Sequence, residues 1–227
     1  MKTPHTTRFE PGQHQIAGRG GPPPGRWKGG WNERIAYAVA AVWVAVFLTV
    51  GATLTVGHFY TLPRPDTSDP AVADALNSMR DQDQVEAWLA VHILYADCRC
   101  SQRIFEHLRL DARPSDVVEK VLLVGGSETL KQQLADAGFE VISLKREELA
   151  ERYGLTAAPL FAVLDPSGTL RYLGGYTGRK QGLDVRDTKI LAQLRDEQLV
   201  DELPLFGCAV AQELQELLDP LSIKYEK

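Results

Sequence analysis

Sulfur is scarce in this chain of 227 residues: three cysteines and two methionines, Met1 and Met79. Imidazole is nearly as scarce, with five histidines and none beyond His107. Thioether and imidazole ligands are therefore too few for most soft-metal centres, although two thiolates alone can hold Cu(I). The chain also lacks excess positive charge; its net charge is -5, so no nucleic-acid partner is expected. No internal repeat is present. The glycine-rich stretch Gly174–Gly182 lacks the strand-to-helix setting of a phosphate loop, which argues against a nucleotide cofactor. No bound cofactor or resident metal is expected.

One absence is local. Ile35 to Val56 contains no charged residue in 22 positions. About 20 apolar residues in a helix span the hydrocarbon core of a bilayer. A secretory signal has a shorter apolar region, ~7–15 residues, and a core helix rarely lacks a polar face over such a length. An uncleaved membrane anchor is expected at 35–57, with Trp31, Tyr37, Phe59 and Tyr60 suited to the interfaces. Residues 1–34 hold six basic residues against two acidic ones, a charge of +4, which leaves -9 for the rest. The positive-inside rule then keeps the N-terminus in the cytoplasm and sends the remainder across the bacterial inner membrane. Disulfides persist in that compartment.

The residues with the clearest chemistry are Asp97-Cys98-Arg99-Cys100. An apolar run, Leu89 to Ala96, precedes them, and a helix-like stretch, Ser101 to Leu110, follows. A strand that delivers cysteines to a helix start places their sulfurs near unpaired N–H groups and the positive helix end, which favours the thiolate. Arg99 and Arg103 act in the same direction, and Asp97 opposes them unless it caps the helix. Three uses remain open for the pair: thiol exchange, soft-metal binding and a structural disulfide. The third cysteine, Cys208, precedes an amphipathic run with Val210, Leu214, Leu217 and Leu218 and is expected near a helix start. It could resolve an oxidised Cys98 or Cys100, ligate a shared metal, link to another protein, or pack beside Phe206. His92, on the incoming strand, could move protons for a thiol or be a satisfied strand histidine.

The organisation is a Gly/Pro-rich disordered leader (1–34), the anchor (35–57), a linker (58–69), an α/β domain (70–200) and a helical extension (201–227). Asp69-Pro70 reads as a helix start. Strands are expected at Val85–Ala96, Val117–Val124, Phe139–Leu144 and Leu160–Leu164, with a hairpin through Asp165-Pro166-Ser167-Gly168 to Thr169–Leu173. Helices are expected at Ser101–Leu110, Glu128–Ala137 (capped by Ser127), Glu147–Tyr153 and Asp184–Arg195, and from Ala209 to Leu218. This alternation predicts a mixed central sheet flanked by helices.

Strand, cysteine motif and helix, then Tyr153-Gly154-Leu155-Thr156-Ala157-Ala158-Pro159-Leu160 before a hairpin, resemble the thioredoxin superfamily. The likeness is to its membrane-anchored extracytoplasmic thiol–disulfide oxidoreductases, over about residues 83–198. The resemblance implies a thioredoxin-like fold, with Pro159 in the cis form facing the active cysteine and Ala158 pairing with substrate peptides. It implies Cys98, Cys100 and Pro159 as catalytic candidates and Ala158 as substrate-contacting; the residue reading adds Cys208 to the first group, and Arg99 and Tyr176 (the latter in the glycine-rich loop) to the second. Protein thiols and disulfides would be the substrates, with a membrane electron donor as a further partner. The chain departs from the family in carrying two cysteines one residue apart where two intervening residues are usual. The copper-delivering members supply the runner-up reading.

Overall fold

The computed structural model describes residues 31–59, 61–126, 128–219 and 225. The Gly/Pro-rich leader up to residue 30, Tyr60 and the Ser127 cap lie outside the described residues. The chain divides into two units between Gly51 and Ala52, and each is described by itself.

In the first unit, α1 begins; the helix as a whole runs Trp31–Phe59. Its stretch from Glu33 to Ala52 is long and apolar enough to cross a bilayer, and none of it is buried in protein. Those properties belong equally to a membrane anchor and to a secretory signal.

The second unit is built on a five-stranded sheet. Its strands are β1 (Trp88–Tyr95), β2 (Val117–Val124), β3 (Glu140–Leu144), β5 (Leu160–Leu164) and β6 (Leu170–Gly174). They lie in the order β3-β2-β1-β5-β6. β1 runs parallel to β2 and antiparallel to β5. β2–β3 is parallel and β5–β6 is an antiparallel hairpin. β1 is central and buried along nearly its whole length, which is why its sequence, WLAVHILY, carries almost no polar alternation.

Successive β1 side chains point to opposite faces. Leu89, Val91, Ile93 and Tyr95 face a cluster made with α2 (Pro70–Asn77), α5 (Arg146–Tyr153) and Leu205. Ala90 and Leu94 face a second cluster under α3 (Arg99–Leu110), α4 (Glu128–Asp136) and α6 (Asp187–Arg195). Asp69 caps α2 by accepting a hydrogen bond from Ala71 N at 2.9 Å, with Pro70 in the first turn. Gly154 ends α5 at φ 65°, a conformation costly for any residue with a Cβ. This is the mixed α/β, thioredoxin-like fold expected from the sequence.

Two local expectations need correction. α3 starts at Arg99, not Ser101, because the Cys98 carbonyl already accepts Gln102 N–H at 2.9 Å. The C-terminal segment does not begin its helix at Ala209. Cys208–Ala209 instead forms β7, antiparallel to the short β4 (Ala157–Ala158), and α7 follows as Gln212–Leu218. Within the expected apolar stripe, Val210 is buried but Leu217 is 76% exposed.

Candidate functional site

The site forms where the end of β1, the start of α3 and the β4–β7 pair meet. Cys98 N–H bonds the Tyr95 carbonyl at 3.0 Å, and Tyr95 N–H bonds Ser101 Oγ at 3.0 Å. These bonds fasten the first turn of α3 to the last residue of β1. Cys98 is the N-cap residue of α3 and is 0% exposed. It belongs to the cluster on the β4 side of the sheet, unlike the helix it starts.

The Ala158–Pro159 bond is cis, as the resemblance implied. The Ala158 carbonyl oxygen lies 3.9 Å from Cys98 Sγ, within reach of an S–H donor. Ala158 is paired across the β4–β7 ladder with Cys208, and Ala157 with Ala209. The expected helix-start cysteine is therefore a strand cysteine, brought to the Cys98 side by its pairing with the remote Ala158. All three cysteines are thiols.

Cys98 is held well below the usual thiol range. The Cys100 thiol donates to its sulfur first and the Cys208 thiol next; burial opposes them, and the Ser101 and Cys100 N–H groups add to the thiolate's stability. Cys100 is pushed up for the converse reason: it is the donor to Cys98, and burial and the Cys98 charge both oppose its ionisation. Lys180 and Arg103 offset that only in part. One proton is thus left between two neighbouring sulfurs, and Cys98 is the more readily ionised of the pair. Asp97 does not cap the helix. It is exposed and pairs with Arg146 at 3.7 Å, so its charge is directed away from the sulfurs.

A cleft of about 190 Å³ opens beside Cys100, walled by Pro159, Arg103, Tyr176, Leu183 and Phe206. Arg103 donates to the Gly182 carbonyl at 3.3 Å. Arg99 is exposed at the first position of α3. Tyr176 is buried; its ring joins the wall, while its hydroxyl bonds the Leu160 carbonyl at 3.3 Å and His92 Nδ1 at 2.9 Å.

His92 lies on the sheet face opposite Cys98, among Phe139, Phe161 and Tyr176. That position separates it from the thiols and favours the strand-histidine reading over the proton-moving one. It belongs instead to a buried polar network behind the cleft. Asp187, 0% exposed, accepts from His107 Nε2 at 2.8 Å and from Arg113 Nη1 at 2.7 Å. Arg113 also grips both oxygens of Glu119, and Glu119 lies 3.6 Å from His92. His107 reaches the cleft wall. Sequence reasoning missed this network because its partners are far apart in the chain and carry no shared motif. Among the described residues, no group of three or more His, Cys, Asp and Glu side chains is arranged to hold a metal ion.

No family model matches the chain, and no curated protein matches it. Solved structures do. A hypothetical protein of Sinorhizobium meliloti 1021 is 17% identical with a TM-score of 0.44, over 66% of this chain and 90% of that one. A thioredoxin-like protein in its oxidised form is 16% identical with a TM-score of 0.42, over 54% and 88%. The thioredoxin domain of a thiol-disulfide oxidoreductase from Bacteroides vulgatus is 13% identical with a TM-score of 0.31, over 39% and 69%. Likenesses this distant transfer no residue's role. Two of these three carry thioredoxin in their names, and the third is a hypothetical protein.

Proposed function

We propose that this protein exchanges disulfides with protein partners outside the cytoplasm, tethered by α1. One observation carries the reading. Cys98 sits at a helix N-terminus, favoured as thiolate, with two further thiols donating to its sulfur. A structural cysteine needs no such arrangement.

The Cys98 thiolate attacks one sulfur of a partner disulfide. A Cys98–partner bond forms, the partner's own S–S bond breaks, and its second sulfur leaves as thiolate. A second thiolate of the domain, from Cys208 or Cys100, then attacks the Cys98 sulfur. That step forms an internal disulfide and releases the partner as thiolate. The partner gains the two electrons that the domain loses, and the reverse sequence oxidises a dithiol. A dithiol or disulfide carrier in the membrane would restore the starting state. The +4 leader and the uncharged run of α1 support an N-terminus in the cytoplasm and the domain in the periplasm.

Exchange is tested by following reduction of a model protein disulfide with wild type and with each single Cys→Ser variant. Loss of activity in Cys98→Ser is expected. Full activity in that variant would refute the reading. Topology is tested separately by a reporter fused after Lys227, expected to be active in the periplasm; a cytoplasmic reporter would overturn the placement.

A further inference from the structure

Cys98 is the favoured thiolate and yet has no exposed surface. A partner sulfur has to come into contact with it, so something must move aside. β7 and its approach lie against the Ala158–Pro159 segment whose carbonyl faces this sulfur. Cys208 stands opposite Ala158, its thiol donates to Cys98, and Gly207 precedes it.

Three features set β7 apart from the rest of the domain. It contributes two residues to a two-stranded sheet separate from the main one. Beyond that ladder, its continuation is tied to the β4 side by one carbonyl, that of Thr156, which accepts from Val210 N at 2.8 Å and from Ala211 N at 3.0 Å. And it fits the edge closely: a Cβ built on Gly207 would lie 1.9 Å from the Ala158 carbonyl oxygen and 2.7 Å from Pro159 Cδ. β7 leaving would open an unpaired edge of β4 beside the Cys98 sulfur. An extended chain is the natural occupant of such an edge.

We infer that β7 is a displaceable strand: it holds the β4 edge that an extended segment of the client protein takes during exchange, and on its return it evicts that segment while Cys208 resolves the mixed disulfide. The inference rests on the exchange reading above. In the return step the Cys208 thiolate attacks the Cys98 sulfur. The Cys98–Cys208 bond forms, the Cys98–client bond breaks, and the client sulfur leaves as thiolate and takes a proton from water. The domain ends as a disulfide and the client as a dithiol. Chemistry and release are then one movement. Bound in the direction of β7, the client segment carries glycine before its cysteine, because any side chain there meets the Ala158 carbonyl. A small residue follows the cysteine, in the place of the fully buried Ala209.

The test uses the reduced full chain in detergent. Hydrogen exchange is read at the Val210 and Ala211 amides, and alkylation at Cys98. Gly207→Ala pushes β7 off the edge and is expected to speed Cys98 alkylation about tenfold or more, with loss of protection at both amides. Cys208→Ser keeps the backbone pairing and should leave both amides protected. A peptide centred on Gly-Cys-Ala, activated as a mixed disulfide, is then captured on Cys98 in a Cys100→Ser, Cys208→Ser chain. Capture should strip protection from Val210 and Ala211, and a peptide with valine for the glycine should react about tenfold more slowly or worse. Amides that stay protected in the captured complex would overturn the inference, as would a Gly207→Ala chain whose Cys98 is no more reactive. Movement of β7 in a protein that fails to exchange protein disulfides would remove the exchange reading and leave the displaceable strand standing.

Discussion

Replacing Asp187 with asparagine removes one charge from the most deeply buried ionic group behind the cleft. The side chain keeps its shape, so the change is electrostatic. Burial alone would raise the Asp187 carboxyl. The His107 hydrogen bond and the charges of His92, Arg113 and His107 outweigh it and hold the group far below the usual carboxylate range. His107 is raised above its ordinary value, chiefly by the hydrogen bond to Asp187. Breaking a buried pair by neutralising one partner costs about 3–5 kcal/mol. The low end applies here, because Arg113 keeps both bonds to Glu119 and His107 can release its proton. About 3 kcal/mol in a domain of this size lowers Tm by roughly 6–12 °C. The raised pKa of His107 contributes stability that is complete below its unfolded value of ~6.5 and is lost as pH rises through the folded value. The Asp187 carboxylate itself titrates in the unfolded chain near ~3.9, so it adds no slope above pH 6. The penalty of the Asp187→Asn change should therefore be largest near pH 6 and smaller near pH 9, where only the Arg113 share remains. Heat unfolding followed by near-UV circular dichroism, wild type against Asp187→Asn at both pH values, measures it. A loss under about 1 kcal/mol at pH 6, or an equal loss at both pH values, would show that the His107–Asp187–Arg113 arrangement does not act as described.

Other outcomes follow from features closer to the sulfurs. In wild type, Cys98 should alkylate as a thiolate well below the ~8.5 of a free thiol, whereas Cys100→Ala, which deletes the main donor to its sulfur, should move that profile toward ordinary thiol behaviour; an unchanged profile would assign the activation elsewhere. Cys208→Ala should shift it in the same direction by less, since its thiol is the second contributor. Gly154→Ala should cost about 1 kcal/mol or more, because the residue holds φ 65° and its Cβ would come within 3.3 Å of Val72 Cγ2; urea denaturation reads the change.

Much of the fold was legible because several elements carry unambiguous local signals. The run VVEKVLLV is read as the strand Val117–Val124 that it forms, and LFAVL as Leu160–Leu164. Both are short, mostly apolar runs bounded by turns, and their length argues for strand. Asp69-Pro70 and Gly154 marked a helix start and a helix stop through backbone preferences that act locally. Cys208 was misplaced because its partner, Ala158, is remote, and two residues of strand pairing leave no periodicity to read. The two readings of His92 could not be separated for a related reason: its position on β1 was right, but only the sheet shows that even-numbered side chains there face away from Cys98. The ionic network was not legible at all. His107, Arg113, Glu119 and Asp187 are individually ordinary residues, and their closeness is created by packing α6 against α3 and β2.

The placement of Cys208 opposite Ala158 also ties the domain's redox state to its chain entropy. A Cys98–Cys208 disulfide would close a covalent ring of roughly 110 residues, encircling most of the sheet, and in the unfolded chain such a ring removes about 4–5 kcal/mol of conformational freedom. A Cys98–Cys100 disulfide closes a ring of about three residues and removes only ~1–2 kcal/mol. The two oxidised forms, identical in mass, would therefore melt at different temperatures, and the temperature itself would name the bond. Each cycle of exchange through Cys208 would alternately brace and loosen the whole domain, with the Cys98–Cys208 form the braced one.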